Sequence, residues 1–376
     1  MRHLAVLLCM AILCAGISGT NAWAQEKKTE PRIQIAILLD TSGSMSGLIN
    51  QAKTQLWKIV NEFVTAKKNG VRPLMQVALY QYGSNRLSED VGYIRMVLPL
   101  TDDLDKVSEE LFALTINGSR EYCGHVIKTA TEQLSWSGSN EDLKAIYIAG
   151  NEPFTQGSVD YQTSCKGTIK KGITVNTIFC GPYQTGISGK WQHGAELADG
   201  SYMNIDQNRK NIYIEAPQDK EITRLNAELN KTYIAYGRKG NAAMSRQSKQ
   251  DSNAAKSSAG SYVQRAVTKS SSLYRNTGWD LVDAHKEGKK DVTKMKEEEL
   301  PENMRKMTPE ERKAYIEKMA EKRKEIQAKI QKLNGKRKKY VAEKMKELSV
   351  KGKDTLDAVM IKSLRKQAAE KKFNLK

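Results

Sequence analysis

Apolar and polar positions divide the chain into two unlike stretches. Residues 33–39 are apolar at nearly every position, as expected of a parallel strand covered on both faces. Leu48, Ile49, Ala52, Leu56, Ile59, Val60 and Phe63 then recur at helical spacing. Residues 74–82 and 91–97 read as strands joined by the turn Gly83-Ser84-Asn85, a join short enough for a hairpin, so one strand of the pair runs antiparallel. Helical patterns follow over 102–114 and 121–134. A buried-strand run over 143–149, a helix over 159–171, a strand over 173–179, a short helix over 191–198 and a strand over 201–205 complete the series. Strands separated by helices over this length predict an α/β fold, a doubly wound and mostly parallel sheet with helices on both faces. Ligands of such sheets bind beyond the carboxyl ends of the strands, where the loops after Leu39, Leu114, Ala149 and Phe179 lie.

After about residue 211 the pattern changes. A helix is predicted over 221–236. Residues 238–272 are rich in Ser, Ala, Lys, Gln and Asn with few large apolar side chains, which predicts a weakly ordered linker. Trp279, Leu281 and Val282 suggest a short docking element. Thr308-Pro309-Glu310-Glu311 is a helix start, with a capping hydroxyl, a first-turn proline and acids against the dipole. Ile316, Met319, Ile326, Ile330, Leu333 and Tyr340 follow at three-and-four spacing, interrupted by Arg323 and Arg337, and Asn334-Gly335 offers a break. The pattern leaves open a coiled coil or a hairpin of two helices, and a final helix is predicted over 354–371.

Charge and the chain start add to this division. The net charge is +18, and roughly +13 of it falls after Leu300. Glu residues interleave with the Lys there, which favours helix stabilisation by side-chain pairs over nucleic-acid binding. The basic helices could also meet an anionic envelope surface. Arg2 and His3, an apolar run over 4–17 and Ala22-Trp23-Ala24 form a signal-peptide pattern with cleavage near Ala24, so the chain is expected to be exported, to the periplasm or beyond. The expected organisation is a signal peptide over 1–24, an α/β domain over 32–215, a helix and weakly ordered linker over 216–300, and a basic helical region over 301–376. After cleavage Cys123, Cys165 and Cys180 remain. Two could pair in an oxidising compartment, and their spacing matches no zinc pattern.

The segment with candidate chemistry is Asp40-Thr41-Ser42-Gly43-Ser44, directly after the first buried strand and before an amphipathic helix. One carboxylate and two hydroxyls on a tight turn are hard oxygen donors of the kind Mg²⁺ prefers. Gly43 permits the turn, and the helix beyond it favours anions around the ion. A helix cap without metal is the plainer use of the same residue types.

On this motif and its setting, the chain resembles the von Willebrand factor A domain family, with its Asp-x-Ser-x-Ser metal-ion-dependent adhesion site. The resemblance spans roughly residues 32–206 and includes the strand before the motif, the hairpin after the first helix and the ending Gly200-Ser201-Tyr202-Met203-Asn204-Ile205. It implies that Asp40, Ser42 and Ser44 form the first ligand loop of a site for Mg²⁺, or Mn²⁺ or Ca²⁺. The family's second loop supplies a threonine, and Glu121 holds that place here. The family's Thr-Asp-Gly after the fourth core strand is replaced by Ala149-Gly150-Asn151-Glu152-Pro153, so Gly150 stands where the aspartate belongs, and Asn151 or Glu152 is left to substitute. The resemblance further implies a binding module whose metal takes an acidic side chain of a partner protein. No nucleophile with a matched base and oxyanion donors is recognisable, so the expectation is a protein that is not an enzyme. The alternative is a structural envelope-associated protein that acts through its basic helical tail, with a degenerate metal site. No nucleic-acid partner is expected, and the oligomeric state is left open.

Overall fold

The computed structural model describes residues 30–208, 213–347 and 355–375. The signal-peptide reading lies outside them. The first stretch runs β1 (Arg32–Asp40), α1 (Ser46–Val60), β2 (Leu74–Tyr82), β3 (Ile94–Thr101), α2 (Leu104–Ala113), α3 (Cys123–Gln133), β4 (Leu143–Gly150), α4 (Tyr161–Lys170), β5 (Thr174–Phe179), α5 (Tyr183–Ser188), α6 (Trp191–Glu196) and β6 (Tyr202–Asn204). The strands form one sheet in the order β3-β2-β1-β4-β5-β6. All neighbours are parallel except β2 and β3, the pair expected to contain the antiparallel turn. The predicted doubly wound α/β sheet is the observed one.

Alternation along β1 explains the two layers. Ile33, Ile35 and Leu39 face a core built with Leu48, Leu56 and Trp57 of α1 and Leu111 of α2. Ala36 and Leu38 face the opposite core, with Val126 and Ile127 of α3, Cys165 of α4 and Trp191 of α6. Period-two alternation with both faces covered gives the continuous apolar run seen in the sequence.

The second stretch departs from the expectations. It contains α7 (Asp219–Asn230), α8 (Gly240–Ser257), α9 (Ala259–Lys269), α10 (Leu281–Lys286), α11 (Glu302–Arg305), α12 (Pro309–Glu347) and α13 (Leu356–Glu370). Residues 238–272, read as a weakly ordered linker, are mostly the helices α8 and α9. Their inward positions include Gln247, Gln250, Asp251, Arg265 and Lys269, all buried, so composition concealed a packed face. Arg265 pairs with Asp105 of α2 at 2.7 Å and with Asp251, and its guanidinium lies 4.7 Å from the Trp57 ring. Lys269 pairs with Asp251 at 2.9 Å.

The coiled-coil and hairpin readings of residues 301–376 are also corrected. α12 is one continuous helix through Asn334 and Gly335, and it packs on its own chain. Ile326 and Ile330 join Leu225, Leu229, Val263 and Trp279 in a core of this stretch. The two arginines that interrupt the apolar stripe point into that interface. Arg323 meets Asp280 at 2.6 Å and Asp283 at 2.7 Å, and Arg337 meets Asp219 at 2.6 Å.

Nor is 301–376 a single region. Leu356, Met360, Leu364 and Ala368 of α13, with Phe373, belong to the same core as α1 and the sheet. Ser363 and Gln367 hydrogen-bond Asn176 of β5, and Asn374 bridges to Lys67. The α/β domain is therefore discontinuous in sequence, closed by α13, with the helices between β6 and α13 inserted into it. A helix of ordinary amphipathic pattern does not announce which surface it covers.

Candidate metal centre

β1 delivers Asp40 to the carboxyl edge of the sheet, and the loop after it is tied on both sides. The Thr41 amide donates to the Tyr82 carbonyl at 2.8 Å, and Gly43 donates to the Gly118 carbonyl at 3.0 Å. The Asn117 amide donates to the Thr41 carbonyl at 2.8 Å, so the 40–44 loop and the loop that carries Glu121 are stitched together. Asp40 and Thr41 are fully buried, and Ser42 and Glu121 nearly so, whereas Ser44 is exposed.

Asp40 Oδ1 accepts the Ser42 amide at 2.7 Å. Its Oδ2 is buried and has no hydrogen-bond partner. Glu121 stands beside it. Burial, then the charge of Glu121, pushes the Asp40 carboxyl well above the ordinary carboxylate range. Burial also raises Glu121. Among the described residues, no Lys, Arg or His forms an ion pair with either carboxylate. The Glu121 amide is held by the Gln156 side chain, and Glu121 Oε2 accepts the Glu152 amide at 3.3 Å.

The serines complete one side. Ser42 Oγ and Ser44 Oγ are 3.3 Å apart, and the Asn151 side-chain amide donates to Ser44 Oγ at 3.2 Å. Of the two residues left to replace the family aspartate, Asn151 reaches the loop with its side chain. Glu152 touches the site through its backbone amide, while its carbonyl accepts Trp191 Nε1 at 2.8 Å. The six sequence-selected residues thus gather at one edge, as one buried carboxylate pair with a polar rim.

Sequence reasoning missed what makes room for them. An added Cβ at Gly83, whose φ is +86°, would stand 2.8 Å from Asp40 Oδ1 and 3.2 Å from Glu121 Cγ. At Gly150 it would stand 2.5 Å from the Tyr82 hydroxyl and 3.3 Å from Asp40 Oδ2. The Tyr82 hydroxyl is itself fixed, donating to the Ala149 carbonyl at 2.9 Å. With Tyr82 so placed, an aspartate at position 150 would collide with its hydroxyl, so the family residue does not fit this site as it stands. The turn signal Gly83-Ser84-Asn85 was the one trace of this in the sequence.

The residues fit a hard cation. An orphaned buried carboxylate oxygen, a second carboxylate and two hydroxyls form an all-oxygen donor set. Among the described residues, no three His, Cys, Asp or Glu side chains form a cluster that could hold a metal ion, which leaves this mixed carboxylate and hydroxyl set. Cys123, Cys165 and Cys180 are free and buried, so of the two uses the sequence left open they pack and do not pair. Burial pushes the Cys123 and Cys180 thiols well up, and that of Cys165 up to about 12.

Residues 34–184 match the family model of the von Willebrand factor type A domain, and the chain carries such a domain. Similar solved structures include the conserved hypothetical protein BatB from Bacteroides thetaiotaomicron, at 17% identity and a TM-score of 0.36, covering 46% of this chain and 90% of that one. The SpRpn10 VWA domain is alike at 17% identity and 0.36, covering 46% of this chain and 88% of that one. A third is proximal thread matrix protein 1 from the mussel byssus, solved with a zinc-occupied MIDAS motif, at 15% identity and 0.36; the match covers 46% of this chain and 42% of that one. Likeness at this level says nothing of what this chain binds. No curated protein matches it.

Proposed function

We propose that the chain is an exported, non-enzymatic binding module whose A-type domain holds a divalent cation at Asp40 and uses it to take an acidic group of a partner protein. One observation carries the reading. Asp40 and Glu121 place two buried carboxylates side by side, among the described residues no Lys, Arg or His side chain pairs with either, and Asp40 Oδ2 has no hydrogen-bond partner. A dication offsets both charges and engages that oxygen. Asp40, Ser42, Ser44 and Glu121 would hold the ion, with Asn151 and Glu152 at the rim. Mg²⁺ suits these donors, and Mn²⁺ and Ca²⁺ accept the same oxygen chemistry.

When bound, the ion supplies an electrophilic coordination position. Ser44, exposed beside Gly43, marks the side from which a partner reaches it. Glu121 already offsets part of the ion's charge, so it weakens the pull on an acidic group relative to a hydroxyl at the same place. Binding is favoured over catalysis by the state of the nearby groups. The thiols are buried and held protonated, and His193 is engaged with the Tyr161 hydroxyl at 2.8 Å. Export rests on the pattern of residues 1–24.

Thermal unfolding with Mg²⁺, Mn²⁺ or Ca²⁺, and again with chelator, tests the metal. The wild-type midpoint is expected to rise with at least one ion by mass action, and Asp40→Ala to lose that rise. No rise with any of the three discards the metal site. With Mn²⁺ bound, acetate is expected to displace metal-bound water and lower water-proton relaxation. Unchanged relaxation discards the acidic partner and leaves the metal.

A further inference from the structure

α12 sorts its cations by type. Its arginines, Arg312, Arg323 and Arg337, are all buried. Arg323 and Arg337 pair with acids, and Arg312 donates to the Met295 carbonyl at 3.1 Å. Its lysines lie outside, and Lys329, Lys332, Lys336 and Lys339 are all exposed. These four follow at steps of three, four and three, which places them on one face over about 15 Å of helix. No acidic residue occurs from Ile326 to Ala342. Among the described residues, none of the four forms an ion pair. The acids of the adjacent α7 form their ion pairs with other cations, Glu221 with Arg224 at 2.7 Å, Glu228 with Lys231 at 2.9 Å and Asp219 with Arg337 at 2.6 Å, although Lys329 is close enough to Glu221 to share its field.

We propose that this lysine face docks the protein on the surface of an anionic lipid bilayer. The chemistry favours lipid over nucleic acid. Lysine is a hydrated point charge suited to a diffuse sheet of negative charge, whereas phosphate and base recognition draws on the arginine fork and aromatic stacking. Here the arginines are turned inward, and Tyr340, the aromatic residue of this stretch, is half-buried. The residues between the lysines on this face include no exposed large apolar side chain, so the contact is electrostatic and does not insert. Among the described residues, no helix is long and apolar enough to cross a membrane. The proposal is independent of the metal site.

The test is co-sedimentation of the full chain with vesicles of equimolar phosphatidylglycerol and phosphatidylcholine, beside vesicles of phosphatidylcholine alone. Wild type is expected to sediment with the first and not the second, and to be released by salt. Changing Lys329, Lys332, Lys336 and Lys339 together to Gln should weaken binding on the order of a hundredfold or more. Circular dichroism checks that the variant folds, and Lys336→Glu alone, expected to weaken binding about tenfold or more, serves if it does not. Equal binding to both vesicle types, or binding unmoved by the substitutions, would assign any attachment to another part of the chain and overturn the proposal. Capture of a DNA duplex without capture of anionic vesicles would overturn it as well.

Discussion

In the helical insert Arg265, Lys269, Arg323 and Arg337 are buried, and each touches at least one carboxylate. At the carboxyl edge of the sheet Asp40 and Glu121 are buried to a similar degree, and among the described residues no Lys, Arg or His side chain pairs with either. The insert shows how this chain treats charge when the purpose is packing. Each of these four cations is matched by a carboxylate, and Arg323 also donates to the Thr232 carbonyl at 2.6 Å, whereas the buried Arg312 is held by the Met295 and Arg305 carbonyls. Burying a charge without a partner is costly, and the unmatched pair at Asp40 is the observation that supports the proposed site, whose cation would come from outside.

Four changes would break or sharpen this contrast. Asp251→Asn strips the carboxylate from Arg265 and Lys269 and is expected to cost about 3–5 kcal/mol, because two buried cations lose compensation. Urea unfolding reads this, and a loss under about 1 kcal/mol would mean that the network is not tightly packed.

The next effect is one of pH. Burial, outweighing Asp251, pulls Lys269 from its ordinary 10.5 down to about 8. Between those values the unfolded chain holds the proton and the folded chain does not, so this lysine's contribution to stability rises with pH across that window. Lys269→Met should flatten the rise by on the order of 1–3 kcal/mol, read as the difference between the two proteins' unfolding midpoints.

The candidate site should behave in the opposite sense to Asp251. Asp40→Asn relieves a buried like-charge pair, so without metal it is expected to stabilise the protein by about 1 kcal/mol while removing the response to divalent ions. Destabilisation with an intact ion response would reverse the assignment. Smallest of all, Lys128→Ala breaks an exposed pair with Glu132 and should move the midpoint by less than about 0.5 kcal/mol in calorimetry.

The contrast also bears on what could be read in advance. The candidate site was legible because its elements announce themselves locally. β1 is apolar on both faces, α1 repeats at helical spacing, and Asp40, Ser42 and Ser44 fall on the turn between them. Glu121 was reached through the family pattern, and the structure sets it beside Asp40. The room for the pair was not legible, because it depends on Gly83 and Gly150 facing Asp40 from two other strand ends. α8 and α9 were mistaken for a loose linker for a related reason. Their buried sides mix Ala and Val with Gln, Asp, Arg and Lys, and so polar a face is recognisable as a core only once its partners are in place.

Local pattern was thus enough for the strands, the helices that flank them, the antiparallel pair and the loop that offers oxygen ligands, because backbone periodicity and turn chemistry act over a few residues. Long-range contact decided the rest. It brought α13 back across the helical insert to close the sheet, turned the arginines of α12 inward and its lysines outward, and set Glu121 against Asp40. The closing of the sheet by α13 and the inward turn of the arginines rest on an apolar face or a charge meeting its complement from a distant part of the chain, while Glu121 is set against Asp40 by the backbone hydrogen bonds that join their two loops, and no short stretch of sequence carries both members.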